Sequence, residues 1–179
     1  MTSRNTYVDI ARAVGTVGLG LTAGAMAGQS LFAYPMLRSL ASNERLHAWN
    51  VLFEVSAGVF QLVITPTALL FASAAVLAQP GSGTVSGNRR TILGAVAASV
   101  AFVPAWTRLY MWSNIQWTRK ALYAPGRQTD AAIARWERQH RVRATVVVLG
   151  FVAAVVELFS SAPSISAHTF NIRFNTSLS

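Results

Sequence analysis

No cysteine occurs among the 179 residues, and only six acidic residues stand against fifteen lysines and arginines. Without thiols the chain has no disulfide, iron–sulfur cluster or thiolate-held haem, although its compartment stays open. Charge is scarce too: 12% of residues are charged while 53% are hydrophobic. That is about half the charge of an average soluble domain. Walker A, G-x-S-x-G and C-x-x-C-H patterns are absent. The three histidines, His47, His140 and His168, form no H-x-x-x-H or H-x-x-E pair. These absences argue against a metal site, and no histidine lies deep enough in an apolar run to hold a haem.

What is present is apolar sequence gathered into four runs, about 13–34, 49–77, 91–112 and 144–159. At 1.5 Å per residue such runs, the last taken with the helical stretch that continues into it, cross a hydrocarbon core of about 30 Å. The expected fold is therefore all-α: a polytopic membrane four-helix bundle over 1–160, with the lipid bilayer as its partner. An amphipathic stretch, with Thr129 or Asp130 as its N-cap, precedes the last span. Tyr34-Pro35 closes the first span, and Arg38 to His47 forms a polar hairpin. Residues from Gln79 to Arg90 form a flexible loop, and 161–179 an irregular polar tail. The N-terminus, with Arg4, Asp9 and Arg12 before a long apolar run, does not resemble a cleavable signal peptide.

The net charge of +9 does not imply nucleic acid. The basic residues sit at span ends and in the connections, where membrane proteins carry them. Ten of the fifteen fall in or beside the first and third loops. Positive-inside bias therefore predicts those loops to be cytoplasmic, with both termini outside or lumenal. The sequon Asn175-Thr176-Ser177 is compatible with a lumenal tail.

Gly20, Gly24 and Gly28 form two overlapping GxxxG steps in the first span. Such a stripe lets helices approach closely, within the bundle or in a homo-oligomer. Trp49, Trp106, Trp112, Trp117 and Trp136 cluster at span ends, as an interfacial aromatic belt does. Several would meet at one end of spans 3 and 4, where they could sandwich a flat polycyclic ligand.

Trp136, His140 and Arg143 share one helical face at the edge of the last span. Arg143 and His140 serve equally as interfacial anchors or as an oxyanion partner and a general base. Glu54 and Glu157 are acids near span ends, and an acid within a span is a functional candidate paired inside the bundle. Arg143 and Glu157 are fourteen residues and about 21 Å apart on one helix, so they cannot pair with each other.

Several of these residues, in order, resemble the anthrone oxygenase-like membrane proteins (the DUF1772 family). Gly20 to Pro35 resembles that family's glycine-rich first span ending in proline. Trp49 with Phe53 resembles its W-x-x-x-Y step, with Phe for Tyr. Pro104 to Asn114 resembles the segment closing span 3, although Ser113 stands where a small residue or proline is usual. Arg135-Trp136 with His140 and Arg143 resembles its W-x-x-x-[HN]-x-x-R lead into span 4. The resemblance covers about 13–160.

It implies oxidation of a small aromatic polyketide, an anthrone, to a quinone. Molecular oxygen is the co-substrate, and no flavin, haem or metal is strictly required. On that reading His140, Arg143 and Asn114 carry the chemistry. Trp106, Trp112, Trp136, Trp49 and Glu54 bind the substrate. Two other classes stay open: a non-enzymatic membrane scaffold or subunit, and a metal- or haem-dependent membrane oxidoreductase.

Overall fold

The computed structural model describes residues 2–78, 86–123 and 128–160. Among them there is no strand, and they form four long helical rods. The loop around 79–85, residues 124–127 and the tail from 161, with its sequon and His168, lie outside the described residues. The first rod is α1 (Thr2–Gly28), a π-helical turn (Gln29–Ala33) and α2 (Tyr34–Ser39). The second is α3 (Ser42–Leu77). The third is α4 (Ser86–Trp106), a second π turn (Thr107–Met111) and α5 (Trp112–Lys120). A 3-10 turn, Ala121–Tyr123, follows it, and α6 (Gln128–Ser160) is the fourth rod.

All four rods are long and apolar enough to cross a membrane, at 32 to 36 residues each. That is about 48–54 Å of helix, more than the hydrocarbon core requires, so the ends reach into the headgroup zones. Each rod packs on two neighbours, the first against the second and fourth, and the third against the same two. Side chains such as Leu21, Leu62, Leu149 and Phe159 point outward and are exposed. An apolar exterior is what a bilayer solvates. The chain is a four-span integral membrane protein with an all-α bundle fold.

Three boundaries differ from the sequence expectation. Pro35 does not end the first rod. The Tyr34 N–H reaches back five residues to the Gln29 carbonyl, and this widened turn brings Pro35 in at the start of α2, where a missing N–H is tolerated. The hairpin from Arg38 to His47 shrinks to Leu40 and Ala41. The flexible loop expected to run to Arg90 gives way to helix at Ser86, where α4 begins. As expected, the helix before the last span runs on into it, unbroken from Gln128, with Trp136, His140 and Arg143 well within it. Asp130 is not spent on a cap; its carboxylate accepts from Ser42 (2.8 Å) and Arg45 (3.0 Å) of α3.

The interior divides into two apolar clusters. One, near the chain termini, is built from small and aliphatic residues such as Ala23, Ala74, Val96, Val100, Val147 and Ala154. There α4 and α6 approach closely at Gly150, where an added Cβ would fall against the Ser99 hydroxyl and 3.0 Å from its Cβ. Gly20 serves the same end, since a Cβ there would lie 2.9 Å from Phe151. Gly24 and Gly28 do not, with nothing within 4 Å. The other cluster is aromatic, centred on Tyr34, Trp49 and Trp136.

Candidate functional site

Where the two clusters meet, the bundle holds a cavity of about 360 Å³. This is within the range of small-molecule sites. Its floor is buried: Met26 from α1, Ile64 from α3, Val103 from α4, and Trp136 and Arg143 from α6. Both π turns border it, through Gln29 on the first rod and Thr107 on the third. A π turn carries an extra residue and re-aims the side chains around it. The Thr107 hydroxyl donates to the Val103 carbonyl (2.8 Å), the acceptor that a regular α turn gives to the backbone N–H of residue 107.

Arg143 is the centre of the site. Its Nη1 donates to the Thr107 hydroxyl (2.5 Å) and its Nη2 to His140 Nδ1 (2.9 Å). Its Nε has no partner although it is buried. No carboxylate among the described residues stands within ion-pairing distance of it. A guanidinium can only donate, so His140 Nδ1 must accept. The Nε2 proton of His140 then points to the Met26 carbonyl, 3.2 Å away. Tyr34 stands edge-on to the imidazole at 5.1 Å. His140 is thus a neutral ring with both nitrogens engaged, and it holds Arg143 in place.

Trp136 lines the cavity beside Arg143 and is wedged between Tyr34 (5.2 Å, edge-on) and Trp49 (5.4 Å, edge-on). Its indole N–H is buried and without a partner. Trp112 lies at the rim under Arg108, whose guanidinium carbon is 4.9 Å from the ring centre. Arg119, also lining the cavity, pairs with Glu54 at 3.0 Å.

The expected residues are therefore sorted by the structure. Arg143, Trp112 and Trp136 line one cavity, and His140 stands directly behind Arg143. Trp49 backs Trp136 and Phe53 (5.5 Å, stacked) without reaching the cavity. Trp106 stacks on Tyr110 (4.3 Å) and is not in the lining either. Glu54 is exposed and reaches the site only through Arg119. Asn114 is elsewhere. It faces a separate, more open recess of about 400 Å³ between α5 and α6 with Ser113, Trp117 and Arg135, and its amide donates to the Ala132 carbonyl (2.9 Å). A helix pairing seals Asn114 off from Arg143, which spacing within single spans does not reveal.

Sequence reasoning passed over Gln29, Ser56 and Thr107. Gln29 donates to the Ser56 hydroxyl across the cavity wall (2.5 Å). Polar residues inside apolar runs were the available signal. No group of three histidines or acidic residues placed to hold a metal occurs among the described residues. No family model, curated protein or solved structure matches the chain.

Proposed function

We propose that this chain oxidises a planar, weakly acidic phenolic polycycle of the anthrone type to its quinone with molecular oxygen, inside the membrane. The observation that carries this reading is Arg143, a buried cation with no carboxylate partner among the described residues, lining a largely apolar cavity with Trp112 and Trp136. The ordered motifs that resemble the anthrone oxygenase-like proteins support the same chemistry.

The tricycle lies against the indoles, and its carbonyl oxygen accepts from Arg143. A fixed cation at that oxygen favours the enolate, because it binds the anion more strongly than the neutral ketone. The methylene proton is given up to interfacial water before entry, so that the molecule is held as the enolate, since His140 has no free nitrogen to take it. The electron-rich enolate gives an electron to oxygen, and the radical pair closes a C–O bond to form a peroxide. Protonation, loss of the second methylene hydrogen and cleavage of the O–O bond release water. One anthrone and one O2 become one quinone and one water.

The test is oxygen-dependent conversion of an anthrone by detergent-purified protein, comparing wild type with Arg143→Met. Removing one donor of this kind lowers turnover by about 10²–10³-fold. Conversion by folded Arg143→Met at the wild-type rate would overturn the proposal.

A further inference from the structure

The exposed part of the cavity lining lies on two neighbouring rods. Its exposed rim residues are Gln61 and Thr65 on the second rod and Pro104, Arg108, Trp112 and Arg119 on the third. Its buried floor lies on the first and fourth. A path from rim to floor therefore runs sideways, between the second and third spans, out of the lipid.

Gln61 is close to the midpoint of α3, where an exposed amide faces hydrocarbon at a cost of solvation. Pro66 deepens that cost nearby, because it offers no N–H to the carbonyl of Leu62. Charge gives the second half of the argument. Of the three arginines lining the cavity, only Arg119 meets a carboxylate. Arg108 and Arg143 have none within 4 Å among the described residues, and no acidic side chain lines the cavity.

We infer that this cavity is loaded from the bilayer, between spans 2 and 3, with an acidic apolar molecule that it holds as the anion. Arg108 at the rim meets the acidic group first, and Arg143 beside the Trp136 ring receives it at the floor. Gln61 gives the passing molecule a hydrogen-bonding partner at a depth where the lipid gives none. The inference uses the same cavity as the proposed oxidation and is tested without turnover, so the two can fail separately.

The experiment uses the full chain in phosphatidylcholine nanodiscs and two probes with one ring system, anthracene-9-carboxylate and 9-hydroxymethylanthracene. Energy transfer from the protein's tryptophans reports binding, referred to each probe's membrane-dissolved concentration. A hydrogen bond to a charged group is worth about 1.5–3 kcal/mol, so the carboxylate should bind about tenfold to a hundredfold more tightly. Arg143→Met should erase that preference and Arg108→Gln should reduce it. Gln61→Phe, which fills the mouth, should slow association.

Equal affinity for the two probes in the wild type would overturn the inference, as would a carboxylate preference that survives in the Arg143→Met, Arg108→Gln double variant. Association that follows the aqueous rather than the membrane concentration of probe would overturn the lateral route. Displacement of the probe by phosphatidylglycerol would give the cavity to a lipid headgroup and overturn the assignment. Probe binding without anthrone conversion sinks the oxidation and leaves the inference standing.

Discussion

Arg12 and Arg143 are buried almost equally, 3% and 8% exposed, toward opposite ends of the same bundle. Arg12 spends all three of its nitrogens. Its Nε donates to Glu157 (2.7 Å), its Nη1 to Asp9 (2.8 Å) and its Nη2 to the backbone carbonyl of Glu157 (3.3 Å). The other oxygen of Glu157 accepts from Arg89 (3.0 Å), so three rods are tied by one network. Arg143 meets only a hydroxyl and a neutral imidazole, and its Nε meets nothing. The first cation is neutralised by its own fold. The second is held ready by neutral groups, beside empty space. Since an unneutralised buried ion costs several kcal/mol, the difference marks where the chain keeps stability for itself and where it gives some up for a ligand.

The sharpest way to break this comparison is to take the acid from Arg12. Glu157→Leu leaves Arg12 buried with Asp9 as its one remaining carboxylate among the described residues, and removing one partner of a buried pair costs about 3–5 kcal/mol. Denaturant or thermal unfolding in detergent should show that loss. Probe binding by the folded fraction should be unchanged. Wild-type stability in Glu157→Leu would mean that the network is solvated and that the two arginines are not different in kind.

Next in size is a contrast within the small-residue packing. Gly150→Ala places a methyl against the Ser99 Cβ, which cannot yield unless α4 moves with it. Overpacking of this sort costs about 1–3 kcal/mol. Gly24→Ala meets nothing within 4 Å and should hold or slightly raise stability, because alanine is the better helix former. If a second copy packs on the Gly24–Gly28 face, Gly24→Ala lowers the dimer fraction in sedimentation or crosslinking while the monomer fold is kept.

How legible was all this in the sequence? The four spans were, because four long stretches this poor in charge have few other uses. The GxxxG stripe was found but only partly understood. Spacing shows that Gly20, Gly24 and Gly28 share a face, whereas only packing shows that Phe151 lies over the first of them. Arg143 and Trp136 were found from their position at a span edge. The role of His140 was not, because it depends on the Met26 carbonyl of another rod taking its second nitrogen. Asn114 lay outside any reach of periodicity, since the packing of α5 on α6 decides which recess it faces. Contacts within a helix are written in the spacing; contacts between helices are not.

Arg143→Met is expected to separate stability from binding. It removes an unneutralised cation and leaves Thr107 and His140 without a donor. These effects oppose one another, so unfolding should move by no more than about 1 kcal/mol. Binding of the anionic probe should collapse in the same preparation. A stability loss as large as that of Glu157→Leu would show that Arg143 is structural after all.

The smallest effect belongs to Glu54, which pairs with Arg119 at the exposed rim of the cavity. Exposed pairs contribute about 0–1 kcal/mol, so Glu54→Gln should leave unfolding unchanged. Its influence on the ligand is electrostatic and of definite sign. Freeing Arg119 adds positive charge to the cavity mouth, so the carboxylate probe should bind slightly better, by less than about threefold at low salt. The gain should fade at about 0.15 M salt, where charges beyond about 8 Å are screened. The uncharged probe should not respond. If Glu54 instead touched the bound molecule, Glu54→Gln would weaken both probes at every salt concentration. The sign of this small change thus distinguishes a rim acid that tempers the field of the site from one that belongs to the site.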